Sequence, residues 1–197
     1  MTIVARYRTL ALAALVAAGV AGWTFAQPAP QSIAQDKMEI RFVSRQMDAP
    51  VEGKFRKFKA TVAFDPAKLE QSRALVEIDM ASIELGLEEA ETEVKGTPWF
   101  DTAKYPTATF ASGSVKPLGG NKYEVAGKLT IKGTTRDIVA PLTITPKSGG
   151  THDVAGSLVI KRLDFKIGEG SWSGTDTVAN EVEIKFKLSL PAAPAAK

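Results

Sequence analysis

The chain has 197 residues, of which 44% are hydrophobic, and it carries 25 basic and 22 acidic residues but no cysteine. This length and apolar content fit one globular domain with a sizeable core, and the near balance of charge argues against a nucleic-acid-binding protein, which needs a clustered basic face. Without cysteine the protein has no disulfides and no thiol nucleophile, so packing of the core must hold the fold together.

Residues 1–26 predict a cleaved secretory signal peptide. Arg6 and Arg8 give a basic start, an Ala/Leu/Val/Gly run follows, and Thr24-Phe25-Ala26 is a small-x-Ala cleavage site. An uncleaved membrane anchor is the alternative, but the apolar run is short of the ~20 residues that a span needs. We therefore expect export to the periplasm.

The mature chain divides into three parts. A Pro/Ala/Gln-rich stretch over residues 27–36 predicts a flexible linker, residues 37–190 predict the folded domain, and residues 191–197 predict a short C-terminal tail.

Alternating apolar and polar residues predict eight antiparallel strands in the domain. The fifth and sixth strands form a long hairpin that turns at Gly133, and a turn is predicted between the first two strands at Asp48-Ala49-Pro50. The predicted strands cover residues 38–46, 57–64, 73–80, 105–115, 123–131, 138–144, 154–163 and 181–190.

One helix interrupts this pattern over residues 84–95. Apolar residues from Leu87 to Val94 recur at helical spacing, Ser82 is the expected N-cap, and Gly96 ends the helix. An aromatic loop follows it.

Eight antiparallel strands and one short helix predict an all-β domain, either a small closed barrel or a β-sandwich. An eight-stranded barrel is filled by its own side chains or holds one apolar ligand. The pattern leaves both possibilities open, because bulky inward residues such as Phe58 alternate with small ones such as Ala60 and Gly127.

Several apolar side chains are candidates for the lining of a ligand cavity, although any one of them fits an ordinary core as well. They are Phe58, Ile78, Phe110, Leu129, Leu158, Phe165, Trp172 and Phe186. Trp99 and Phe100 in the aromatic loop form either a lid at the mouth or a packed loop. Four basic residues either contact anionic lipid head groups or form a solvated strand face: Lys54, Arg56, Lys57 and Lys59.

Catalysis has little support in the sequence. His152 is the single histidine and lies in a Gly-Gly-Thr-His-Asp turn, where we expect it to be exposed, so zinc sites built from His and Cys and catalytic triads lack their residues. Asp79 and Asp101 could pair as in a glycosidase, but every domain of this size offers such pairs. We predict a protein that is not an enzyme and has no catalytic residue, metal or cofactor, with a hydrolase as the least favoured reading.

Short motifs run through most of the mature domain in a fixed order. They include Phe64-Asp65-Pro66, Ile78-Asp79, Phe100-Asp101, Tyr105-Pro106, Gly127-x-Leu129-Thr130-Ile131-x-Gly133-x-Thr135-Arg136 and Asp164-Phe165-x-Ile167-Gly168. Each is weak alone, but their order and spacing make the set specific. Together they resemble the YceI-like family of exported, polyisoprenoid-binding proteins.

This resemblance implies an eight-stranded lipocalin-like barrel whose hydrophobic tunnel holds an isoprenoid chain, without catalysis. Many family members carry histidines in the first strand, where this chain reads Phe42-Val43-Ser44-Arg45. Met47, Pro50-Val51 and Trp99-Phe100 resemble a branch found beside membrane-bound b-type cytochromes, which implies an isoprenoid quinone as the guest, such a cytochrome as a partner and transient contact with a membrane surface.

The sequence therefore predicts a periplasmic carrier that holds a polyprenyl lipid or an isoprenoid quinone in an apolar barrel cavity. The alternative is a barrel with a filled core that acts as an accessory partner of a membrane redox complex.

Overall fold

The structure is a computed structural model, and it describes residues 29–191. The predicted signal peptide (1–26) and nearly all of the predicted C-terminal tail (191–197) lie outside the described residues. Within residues 29–191, no helix combines the length and the apolar character that crossing a membrane would require.

In the described part of the chain, eleven strands form one antiparallel sheet, with a single α-helix, α1, at Glu88–Lys95. The strands are β1 (Gln31–Ile33), β2 (Met38–Gln46), β3 (Ala49–Phe55), β4 (Phe58–Ala63), β5 (Arg73–Asp79), β6 (Ile83–Glu84), β7 (Thr107–Gly119), β8 (Lys122–Ile131), β9 (Thr134–Pro146), β10 (His152–Lys161) and β11 (Glu181–Leu190). Short 3₁₀ turns lie at Gln35–Lys37, Leu69–Gln71, Met80–Ser82, Ser148–Gly150, Arg162–Phe165 and Gly170–Trp172.

The sheet order is β1-β4-β5-β7-β8-β9-β10-β11-β2-β3-β6. The sheet curls into a half-barrel. Within the described part of the chain no ladder joins its two short edge strands, β1 and β6, so a seam is left in the pairing there. The predicted all-β, antiparallel, lipocalin-like fold is confirmed, and the strand count rises from eight to eleven because β1, β3 and β6 were not predicted.

Strand β3 occupies a segment whose start was predicted as a turn. The turn is instead made by Met47 and Asp48, both with positive φ (47° and 64°), the geometry of a two-residue hairpin turn. Pro50 therefore lies inside β3, opposite Arg45 of β2. Proline is tolerated there because the other edge of β3 pairs with β6 only at Lys54 and Phe55.

The predicted flexible linker over residues 27–36 is wrong where it overlaps β1. Gln31–Ile33 pairs with β4 across Ala60–Val62, and Ile33 is buried. The segment is ordered because its backbone completes the hydrogen bonding of β4 and Ile33 fills a hydrophobic cluster.

The helix starts later than predicted, at Glu88. Gly86 has a positive φ of 80°, which an α-helix does not allow, and the residues before it pair with β3 as β6. Ser82 is not an N-cap, because its hydroxyl accepts from the backbone N–H of Lys57 and donates to the carbonyl of Asp79. The predicted end at Gly96 is confirmed.

His152 differs from the prediction as well. It begins β10 rather than lying in a turn, it is half-buried, and its ring packs edge-on against Phe64 at 5.3 Å between ring centroids.

Candidate functional site

A cavity of about 690 Å³ lies inside the curled sheet. On β2 every second residue from Met38 to Gln46 lines it, and on β11 every second residue from Val182 to Leu190 does the same. Eight residues of extended chain cover ~26 Å. The cavity is therefore long and narrow and runs parallel to the strands.

The cavity wall is built from two buried hydrophobic clusters. The first cluster is Met80, Ala108, Leu129, Ile131, Ile160, Phe165 and Ile167, and the second is Ile33, Ala60, Ile144, Val154 and Leu190. Members of both clusters line the cavity. Because strand residues alternate between the two faces of a sheet, each wall strand turns every second side chain inward, and most of these side chains are apolar.

Most residues predicted as ligand-binding lie around this cavity. Those that line it are Ile78, Trp99, Phe100, Phe110, Leu129, Leu158, Trp172 and Phe186. Phe165 does not line it, because it lies in the 3₁₀ turn after β10 and is buried in the first cluster. Phe58 does not line it either; it is the first residue of β4, directly after the corner at Arg56 and Lys57, and is half-buried.

Three phenylalanine rings of the wall pack onto glycines of neighbouring strands. A Cβ added to Gly53 would lie 2.3 Å from Cζ of Phe42, and one added to Gly156 would lie 2.4 Å from Cζ of Phe186. Phe110 covers Gly127 in the same way. The space that these glycines leave is therefore taken by aromatic rings that lie against the strands, and the centre of the cavity stays open.

One end of the cavity is formed by an irregular connection, residues 162–180 between β10 and β11, which folds around the side chain of Arg162. Arg162 lines the cavity but is only 1% exposed. Its guanidinium donates to six backbone carbonyls, those of Ile167, Gly168, Trp172, Gly174, Val178 and Ala179, at 2.8–3.1 Å. Burial lowers the pKa of Arg162 from its ordinary value, but an arginine stays charged in a protein.

The aromatic loop after α1 is fixed to this connection through the carbonyl of Pro98. That oxygen accepts from the backbone N–H groups of Gly168 and Glu169, both at 2.9 Å. Lys132, which is 8% exposed, donates to the carbonyl of Lys166 at 2.7 Å and to the carboxylate of Glu169 at 3.0 Å. The loop and the connection therefore form one hydrogen-bonded end wall.

Two tryptophans face each other in this end wall. The ring centroids of Trp99 and Trp172 are 5.4 Å apart, and the guanidinium carbon of Arg162 lies 5.8 Å from the ring centroid of Trp99. Nε1 of Trp172 donates to Glu93 of α1 at 3.1 Å. Sequence reasoning proposed both tryptophans but missed Arg162, Lys132 and Glu93.

The other candidate groups lie away from the cavity. Lys54 and Arg56 form ion pairs with Glu84 on the outside of the sheet. Asp79 and Asp101 do not line the cavity, and Asp79 accepts instead from the backbone N–H of Ala81. Among residues 29–191 there is no cluster of three or more His, Cys, Asp or Glu residues able to hold a metal ion.

Comparison with protein-family models gives a match over residues 32–190, to the family described as the YceI-like domain. Among curated relatives, the chain is 35% identical over 89 residues to a UPF0312 protein of Vibrio cholerae, covering 45% of this chain and 47% of that protein. It is 37% identical over 93 residues to a UPF0312 protein of Pseudomonas syringae pv. tomato, covering 47% and 48%. The matched part thus spans about half the length of these curated relatives.

Solved structures share the fold. Burkholderia cenocepacia BcnA superposes with a TM-score of 0.77 at 46% identity and covers 80% of this chain and 98% of its own. The Campylobacter jejuni YCEI protein gives 0.66 at 25% identity, covering 75% and 87%. A domain from Saccharophagus degradans, described as polyisoprenoid-binding, gives 0.69 at 19% identity, covering 85% and 99%.

Proposed function

The chain belongs to the family of YceI-like domains, and we propose that it is a carrier that holds an isoprenoid lipid, a polyprenyl lipid or an isoprenoid quinone, in its apolar cavity. The observation that carries this proposal is the shape of the cavity together with its lining: a long space of about 690 Å³, walled mainly by aliphatic and aromatic side chains. That shape fits a chain-like apolar guest better than a compact one.

Elementary energetics supports a guest of this kind. Moving one methylene-sized group from water into an apolar site contributes ~0.8 kcal/mol, so a long prenyl chain binds through its length alone. Ligand cavities of ~300–1,000 Å³ need only a few polar groups to fix orientation. The same open interior argues against the alternative in which the barrel is filled by its own side chains.

The names of the neighbours agree with the proposal without deciding it. The Saccharophagus degradans domain is described as polyisoprenoid-binding, but at 19% identity its likeness supports the fold alone. The isoprenoid assignment for this chain therefore depends on the cavity.

We also propose the periplasm as the location, a membrane surface as the place where the lipid is exchanged, and a membrane-bound b-type cytochrome as a partner. The first rests on the leader pattern of residues 1–26 and the last on the resemblance at Met47, Pro50-Val51 and Trp99-Phe100. Cell fractionation, and co-purification with solubilised membranes, would test these two parts separately.

The direct test is to identify what the protein carries. Mass spectrometry of an organic extract of the purified protein is expected to show a prenyl lipid in near-stoichiometric amount. A protein stripped of lipid that binds neither a polyprenyl lipid nor an isoprenoid quinone would refute the proposal.

A matched pair of variants on β9 tests whether the guest lies inside. Ile138 lines the cavity, whereas its neighbour Val139 is 54% exposed on the outer face. Ile138→Arg puts a charge among apolar groups and is expected to lower lipid affinity at least a hundredfold, while Val139→Arg leaves it unchanged. Ala140→Phe, which fills the cavity without a charge, is the second inner variant; equal binding by all three proteins would contradict an internal site.

A further inference from the structure

The ladder between β9 and β10 joins only part of the two strands. Its pairs end at Leu142 and Gly156. Beyond them β9 includes residues 134–141 and β10 includes residues 157–161, all of which the structure describes, and no ladder pair or isolated bridge joins these two stretches. Each stretch still pairs on its other side, with β8 or with β11. The cavity wall is therefore interrupted here, at what we call the β9–β10 slit.

A proline explains why the ladder stops. Ile144 donates its backbone N–H to the carbonyl of Asn121, on the β8 side. Because the backbone groups of successive strand residues face alternate neighbours, even-numbered residues of β9 face β8, and odd-numbered ones, Pro141 among them, face β10. Pro141 has no N–H to donate to Ser157, the residue opposite it when the register is continued. The sequence itself ends the ladder at this position.

The slit is apolar on both faces of the sheet. On the inside, Ile138 and Leu158 line the cavity. On the outside, the continued register places Val139 opposite Val159, and these side chains are 54% and 59% exposed. Pro141 is exposed on the same face. An apolar path therefore leads from the outer surface to the cavity, across a line where side-chain packing replaces the ladder.

The end of the cavity at α1 offers a less favourable route. Glu89 and Glu93 of α1 contribute to the lining there, and Glu93 accepts a hydrogen bond from Nε1 of Trp172. A prenyl chain that passes these carboxylates has to displace their water, which costs free energy. At the slit the same chain displaces only apolar side chains.

From this we infer that the carried prenyl lipid enters and leaves the cavity sideways, through the β9–β10 slit, as residues 134–141 and 157–161 move apart. The inference rests on the proposed function and adds the route by which the guest is exchanged. Each stretch keeps its ladder to β8 or β11 during this movement, so the side-chain packing across the slit is what has to give way.

The test closes the slit with a covalent bridge. The chain has no cysteine of its own, so in the double variant Val139→Cys/Val159→Cys a disulfide, or a dibromobimane bridge if the two thiols stand too far apart, joins only the two rims. We expect the bridge to slow both loading and release of a prenylated benzoquinone, supplied in phosphatidylcholine vesicles, at least about tenfold. Quenching of the fluorescence of Trp99 and Trp172, which line the cavity, reports the arrival of the quinone.

The matched control bridges the same two strands inside their ladder, with Thr143→Cys/Ala155→Cys, and is expected to leave both rates unchanged. Equal rates before and after bridging of Val139→Cys/Val159→Cys, or equal slowing by the two bridges, would overturn the route while leaving the carrier proposal intact. Failure of the wild-type protein to take up the quinone at all would refute the carrier proposal itself.

Restoring the missing donor tests the same route without a bridge. Pro141→Val supplies an N–H opposite Ser157, so that the ladder can continue past this residue. We expect loading and release to slow about tenfold, the usual effect of added hydrogen bonds. Pro117→Val, at an exposed proline of β7, is the control and is expected to leave the rates unchanged. A wild-type loading rate in Pro141→Val would count against the slit.

A measurement on the unaltered protein covers the case in which these variants do not fold. The backbone amides of Val139 and Val159 are expected to exchange with deuterium faster than those of Thr143 and Ala155, which lie in the ladder. Equal protection of the two sets would show that the strands are paired along their whole length and would overturn the inference.

Discussion

The apolar wall of the cavity and the 162–180 connection that closes its end are stabilised by opposite means. In the wall, the strand ladders pair the backbone groups, so the inward side chains can be hydrocarbon and the centre can stay empty. The connection has no ladder, and its carbonyls converge on one guanidinium instead. The paired strands satisfy their own backbone groups and leave the interior free for a guest. The irregular connection needs a polar side chain, that of Arg162, to bond its carbonyls.

Replacing Arg162 is expected to have the largest effect on stability, because it removes the group that holds the connection together. Arg162→Met keeps much of the volume but leaves six carbonyls without their donor, of which those of Ile167, Gly168 and Val178 take part in buried hydrogen bonds. We expect a loss on the order of 3 kcal/mol or more in the free energy of unfolding. Urea denaturation measures it.

Two further arginine variants sharpen the result. Arg162→Lys has a single nitrogen with three donors and is expected to recover only part of the stability. Arg136→Met, at an exposed arginine of β9, is expected to change little. If Arg162→Met unfolds at the same urea concentration as the wild type, the connection is held by something other than this side chain.

The corresponding test in the wall is Gly127→Ala. The new Cβ would lie 2.5 Å from the carbonyl oxygen of Ala111 and 2.6 Å from the ring of Phe110, and the backbone contact cannot be relieved by a rotamer change. We expect a loss of about 1–3 kcal/mol in the free energy of unfolding. Gly113→Ala is the control, since its Cβ would be 3.7 Å from the carbonyl oxygen of Ala126; equal effects of the two variants would contradict the account of ring-covered glycines.

The smallest effect is expected on the outer, water-facing side of the wall, at Asp153. Hydrogen bonds from Lys147 and then Ser189 lower the pKa of Asp153 below its ordinary value of 3.8. The folded state therefore gains stability above pH 3.8 and loses it as the pH falls through the lower pKa of the folded protein.

Asp153→Asn removes this dependence. Urea midpoints measured from neutral to acid pH are expected to fall less steeply in the variant than in the wild type at the acid end. Ser189→Ala, which keeps the Lys147 contact, is expected to lie between the two. If the urea midpoints of the variants and the wild type fall equally at acid pH, the pair of Asp153 with Lys147 is too well solvated to contribute to the stability.

Strands with unbroken alternation could be predicted from the sequence with their observed bounds, as at Met38–Gln46 and Glu181–Leu190. Strand β3 was missed although Val51, Gly53 and Phe55 alternate with polar residues, because Pro50 was taken to belong to a turn. Strands β1 and β6 are too short to carry a periodic signal, and they owe their form to the neighbours with which they pair.

The alternation of apolar and polar residues also determines which residues of the cavity lining could be predicted from the sequence. Alternation assigns a face, so strand residues such as Phe110 and Leu129 were placed correctly, whereas Phe165 lies in a 3₁₀ turn where a period of two no longer holds. Arg162 continues the inward series of Leu158 and Ile160 on β10, and a charged residue in that register was a signal of a special site.

The seam between β1 and β6 bears on how thick a guest the fold accepts. A fully closed barrel has a diameter fixed by its number of strands and their stagger. Here the ladder stops at β1 and β6, and the two margins of the sheet are joined instead at the corner between β3 and β4. There the backbone N–H of Arg56 donates to the carbonyl of Ser82, and the backbone N–H of Asp79 donates to the carbonyl of Lys57. The width of the cavity is therefore held at this margin by two backbone bonds and side-chain packing rather than by a continuous ladder, which leaves room for relatives to adapt it to slimmer or bulkier guests.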